Sequence, residues 1–312
     1  MPVVIMLILA ATIPYEELDV SVVILFYIAF LSQIYLISYH YPMRLRQRIL
    51  YVFNHYPPAD YPKLYPQPYD YYAKEAQKGG LRAFRNINFI IIGIGLAVLA
   101  AAANAGYSPS LQGGDEIFVM AYFMLQICPL IYVELANAKL YKRMREVQKG
   151  GVRKASMQPR HLFDFIAPVY VGIAGFVYLA WLTLFIADRG LNGPWTGEVY
   201  GTVFGITGIH VFYGLMIAKH IVGKKVDPHQ DSEDRAKATG FIVKSLVFSS
   251  IAMNLFITFS ILADRYDFEL YDPLMTSIFV QCVAALGIGY VLRVSKIDAI
   301  NFNVYKKDTA SE

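Results

Sequence analysis

The sequence predicts an all-α fold: a polytopic membrane helical bundle of seven transmembrane helices, with the N-terminus outside and the C-terminus cytoplasmic. Three observations carry this expectation. The 312 residues are 56% hydrophobic, with a mean hydropathy of +0.41, which is above the ~45–50% apolar content of ordinary soluble chains. Seven segments reach the roughly 20 apolar residues that a helix needs to cross hydrocarbon. The charges also sort by connection: 26 of the 28 Lys and Arg lie in or beside every second connection, and such a bias marks the cytoplasmic side.

In chain order, the first fourteen residues, MPVVIMLILAATIP, form an apolar run without the positive flank of a signal peptide. As a helix they would extend about 20 Å, too short for a comfortable crossing. An interfacial or re-entrant segment at 1–14 is expected, followed by spans at approximately 20–40, 87–106, 116–138, 162–187, 196–218, 240–263 and 273–293. The whole chain, 1–312, then reads as a single transmembrane domain.

The longest connection, 41–86, contains NHYPPADYPKLYPQPYDYY at 54–72, with six tyrosines and five prolines. Tyr-Pro recurs at 56, 61 and 65, and proline at such intervals opposes helix. Disordered segments are poor in aromatics, so an ordered cytoplasmic strap beneath the bundle is expected. The basic runs Arg44, Arg46, Arg48 and Lys142, Arg143, Arg145 are expected to meet anionic lipid headgroups. The opposite side holds Arg189 and Arg265 among many acids, including Asp115, Glu116, Asp188, Asp264 and Asp272. The net charge of +4 therefore sums two opposed faces and gives no argument for a nucleic-acid partner.

Polar side chains in hydrocarbon need partners, so their positions are informative. Gln33, Gln126, His210, Asn254 and Gln281 fall near the middle of five different spans, and Glu134 and Lys244 lie nearer the cytoplasmic side. Two readings follow. In the first, these seven residues line a path for a small solute or ion that opens to the cytoplasm; in the second, they hydrogen-bond helix to helix. In the fifth span, Gly197, Gly201 and Gly205 step by four, a small-residue stripe suited to helix packing. Ser277, Gln281, Ala285 and Gly289 repeat the step more softly in the seventh. Gly93 and Gly95, in GIGL, read as helix packing rather than as a phosphate loop.

No catalytic constellation, metal or cofactor is expected, and a non-enzymatic role is favoured. A second midplane histidine to ligate a haem is missing, because His40, His55, His161, His220 and His229 all fall at the cytoplasmic end. The last span contains no lysine for a retinal Schiff base, and no P-loop or nucleophile elbow occurs. Cys128 and Cys282 both lie inside spans, so no outer disulfide framework is implied, and a bacterial-type inner membrane is the favoured address. The nine residues TGIHVFYGL at 207–215 resemble, locally, part of a helix of cytochrome oxidase subunit III. The likeness stops at those nine residues and implies no family membership. It supports an alternative to solute binding: a non-catalytic accessory subunit of a larger membrane complex, partnered by other membrane proteins or by further copies of itself.

Overall fold

The computed structural model describes residues 15–67, 69–109, 114–148, 160–190, 193–223, 225–266 and 268–307. Every regular element among them is helical. Seven helices are long and apolar enough to cross a membrane: Val20–His55, Gly79–Asn104, Glu116–Val147, Pro168–Arg189, Gly197–Val222, Ser232–Arg265 and Glu269–Val294. They are called here the first to seventh helices. The expected interfacial segment at 1–14 lies outside the described residues.

Several helices overrun the spans expected from hydropathy, because hydropathy detects only their apolar parts. The first continues to His55 through a π-helical stretch, Ile34–His40. Pro42, just beyond it, has no N–H and its ring crowds the carbonyl of Ser38, so the wider turn falls where the α-helical ladder is interrupted. The α-helix that carries the second span begins at Tyr69, ahead of the span itself, which shortens the connection expected at 41–86. The sixth starts at Ser232, whose N–H donates to Asp231 Oδ1 at 2.7 Å. The fourth starts later than expected, at Pro168, because proline fits the first turn where its missing N–H costs nothing. Leu162–Asp164 forms instead a separate 3₁₀ turn, closed by the His161 N–H donating to Asp164 Oδ2 at 2.7 Å.

The helices pack in two groups. The first, second, third and seventh surround an apolar cluster that includes Phe26, Phe30, Ile34, Ile91, Tyr122 and Leu274. The fourth, fifth and sixth enclose two apolar layers, one around Ile166, Val243 and Val247 and the other around Trp181, Phe185 and Val199. The sixth helix links the groups by packing on the seventh, where Phe256 stacks on Phe279 with ring centroids 4.2 Å apart.

Close helix approach occurs at two glycines. A Cβ on Gly95 would stand 2.2 Å from Tyr122 Oη, and one on Gly289 would stand 2.9 Å from Tyr41 Oη. The softer small-residue step of the seventh helix is thus the one packed inside this chain.

The Tyr/Pro stretch, in its described part, is knitted to the C-terminal tail. Tyr56 stacks on Phe302 at 3.8 Å, the Lys63 N–H donates to the Tyr305 carbonyl at 3.3 Å, and Lys306 lies over the Tyr61 ring. Tyr65 is buried, and Arg143 Nε of the third helix donates to the Gln67 carbonyl at 2.8 Å. Burial, reinforced by the Asp227 carboxylate, pushes the Tyr305 phenol far above its ordinary value, consistent with its hydroxyl donating to Asp227 Oδ2. Phe302→Ala removes the stacking partner of Tyr56, worth about 1 kcal/mol beyond area burial. The expected outcome is faster hydrogen exchange and proteolysis across residues 56–67. Unchanged protection there would show that the tail does not hold this segment.

Candidate functional site

The seven polar residues singled out in the sequence do not converge on one place. They fall into two separate networks and two isolated charges.

Gln33, Gln126 and Gln281 meet where the first, third and seventh helices pack. Gln33 Nε2 donates to Gln126 Oε1 at 2.9 Å. Gln126 Nε2 donates to Ser38 Oγ at 2.8 Å and to the Gln33 carbonyl at 3.3 Å. Ser277 Oγ donates to Gln33 Oε1 at 2.8 Å, and Ser32 Oγ donates to Gln281 Oε1 at 2.6 Å. Gln281 Nε2 donates in turn to the carbonyls of Ala29 and Ser277. Gln33, Gln126, Ser38 and Ser277 are fully buried, and the amides spend their donors and acceptors on one another and on nearby serines and carbonyls. Such a closed set fixes the helices against each other and offers little to a passing solute.

The second network sits between the two apolar layers of the fourth, fifth and sixth helices. His210 Nδ1 is 2.8 Å from the Ile206 carbonyl, and Nε2 is 2.9 Å from Asn254 Nδ2. A carbonyl only accepts, so Nδ1 carries the proton. Asn254 Nδ2, which also donates to the Ser250 carbonyl at 3.0 Å, gives its other hydrogen to Nε2. Tyr178 joins from the fourth helix, its hydroxyl 2.8 Å from Thr207 Oγ1 and its ring 4.8 Å from the imidazole. Asn254 Oδ1 and Trp181 Nε1 are buried without hydrogen-bond partners.

Glu134 and Lys244 belong to neither network. Glu134 is exposed on the third helix and Lys244 is half-buried on the sixth. No ion pair joins them among the described residues. Gly197, Gly201 and Gly205 are exposed, and a Cβ on any of them would meet nothing within 4 Å. Among the described residues no helix packs on that stripe.

Sequence reasoning missed Ser32, Ser38, Tyr122 and Tyr178. Serine and tyrosine satisfy themselves easily at helix surfaces, so their spacing carried little signal; Tyr122 Oη reaches the Ile91 carbonyl of the second helix at 3.0 Å. At the acidic end, Asp188 pairs with both Arg189 and Arg265, and Arg189 also reaches Asp264, so the two cations of that end tie neighbouring helix ends together. Among the described residues no group of three His, Cys, Asp or Glu side chains is placed to hold a metal ion. Comparisons with protein-family models, curated proteins and solved structures find no match for this chain. Its class rests on the fold alone: seven helices with the length and apolarity of membrane spans.

Proposed function

We propose that this chain is a multi-pass protein of a bacterial-type inner membrane, basic end cytoplasmic and N-terminus outside. In this reading it acts as a non-catalytic subunit that docks a transmembrane helix of a partner chain against its fifth helix. One observation carries this. None of the most apolar window of the fifth helix is buried, against 39% for the first and 33% for the sixth, although this helix carries the most regular glycine stripe in the chain.

Beside the furrow at Gly197, Gly201 and Gly205 runs a ridge of Tyr200 and Phe204, which are 48% and 72% exposed. Lipid tails are as apolar as leucine and gain nothing special from a furrow, whereas a second helix gains close backbone approach and van der Waals contact. A solute path through the interior draws less support. The glutamines that would line it are occupied with each other, and Glu134 stands apart from them.

Purification from the native membrane in mild detergent should bring down a second membrane chain. Gly201→Leu and Gly205→Leu should weaken that association at least tenfold, about 1.4 kcal/mol, without altering helicity, because among the described residues nothing lies within 4 Å of either Cβ position. A monomer with nothing attached, or a complex indifferent to both substitutions, would sink the reading.

A further inference from the structure

We propose that residues 295–306, which follow the seventh helix, form a latch that ties the two helix groups together across the basic end and opens as one unit. The latch rests on its own contacts and stands whether or not the fifth helix docks a partner.

One side of this segment is held by the first group. Arg48 of the first helix donates from Nη2 to the Ser295 carbonyl, and from Nη1 to the Val291 carbonyl at 3.4 Å. One turn further along the same helix, Tyr51 Oη donates to Asp298 Oδ1 at 2.9 Å. The stack of Tyr56 on Phe302 and the bond from the Lys63 N–H to the Tyr305 carbonyl continue the seam.

The other side is held by the second group. The Asn301 N–H donates to Asp234 Oδ2 at 2.9 Å, in the first turn of the sixth helix. Tyr305 Oη donates to Asp227 Oδ2 in the connection between the fifth and sixth helices. That carboxylate is held in place from behind, because its Oδ1 takes the His229 N–H at 2.9 Å. The His229 ring also stands edge-on to Tyr305, with centroids 6.1 Å apart.

The two sides are coupled inside one 3₁₀ turn, Phe302–Tyr305. Its first ring is anchored to Tyr56 and its last to Asp227, and the two rings lie 6.1 Å apart. Phe302 and Tyr305 are only 8% and 6% exposed, so neither anchor can let go without uncovering the other. The regular structure of the segment consists of this turn and Ile297–Ala299, and 3₁₀ turns of that length do not hold themselves. Its order comes from the anchors, which lie beyond the apolar spans where water can replace each polar bond, so the net worth of each is small. Such a unit opens at a lower free energy than the bundle unfolds. Phe241 against Tyr290, with centroids 5.8 Å apart, and Arg145 Nη1 donating to the Val226 carbonyl at 3.3 Å keep the groups in contact when the latch is open.

Hydrogen–deuterium exchange of the full-length protein in detergent tests this with Tyr305→Phe, which deletes the bond to Asp227 and leaves the ring. For a single latch, exchange rises at least about fivefold at 225–231, where the hydroxyl was anchored, and equally at 56–67, on the side that the hydroxyl does not touch. The spans at 87–104 and 240–263 keep their wild-type protection. Phe302→Ala, which deletes the opposite anchor, should speed exchange at 225–231 by a similar factor. A rise confined to the side that each substitution touches would overturn the proposal, because the segment would then make two independent contacts. No rise in either place, or a rise that extends through the spans, would overturn it as well. Circular dichroism checks that Tyr305→Phe is folded. If it is not, Phe302→Ala decides alone: faster exchange at 225–231 supports the latch, and wild-type exchange there overturns it.

Discussion

Gln126→Leu is expected to lower the unfolding free energy in detergent by about 2 kcal/mol. That exceeds the ~0.6 kcal/mol typical of one interhelical hydrogen bond in a membrane protein. The reason lies in what the substitution leaves behind. Gln126 accepts from Gln33 Nε2 and donates to Ser38 and to the Gln33 carbonyl. A leucine there strands the fully buried Gln33 amide, and a stranded buried group costs more than the net worth of the bond it lost. Gln33→Leu/Gln126→Leu should therefore be less damaging than the sum of the single variants. Ser38 and Ser277 can turn back onto carbonyls of their own helices, and the two leucines fill the vacated space. Denaturant unfolding of the two single variants and the double variant gives the coupling directly. Additive losses, or a Gln126→Leu loss below about 0.5 kcal/mol, would show that the glutamine network does not hold the first and third helices together.

Gly95→Ala should cost about 2–4 kcal/mol, from overpacking together with one broken hydrogen bond. The new methyl would stand 2.2 Å from Tyr122 Oη, 2.5 Å from Cζ and 3.0 Å from Ile34 Cδ1. Tyr122 is buried and bonded to the Ile91 carbonyl, so the ring cannot move without giving up that bond and its packing against Phe30. Gly201→Ala is the matched control. Nothing lies within 4 Å of its Cβ position, and alanine favours helix by up to about 1 kcal/mol over glycine. The same unfolding measurement should separate the two alanines by more than about 2 kcal/mol. Equal stability would mean that the second and third helices are not in the close contact described.

Much of the frame was legible in the chain. The all-helical fold and the seven apolar runs long enough to span a membrane are properties of local composition. Helix ends were less legible, because hydropathy is silent once a helix leaves its apolar part. The first helix runs on to His55 and the third to Val147, while proline moved the start of the fourth to Pro168. The polar residues were legible as a list but not as partners. The pairing of Gln33 with Gln126 spans 93 positions, and no periodicity encodes it.

The glycines make the division plain. By itself the sequence determined that this chain is a bundle of seven apolar helices with one basic and one acidic end, because crossing length and charge sorting depend only on which residues lie next to each other along the chain. It could not determine which small residue is a contact. The regular stripe at Gly197, Gly201 and Gly205 faces open space, whereas Gly95 and Gly289 are where tyrosines of other helices press in. Only the tertiary structure decided that. Contact depends on which helix faces which, and that is settled by packing all seven together rather than by the spacing within any one.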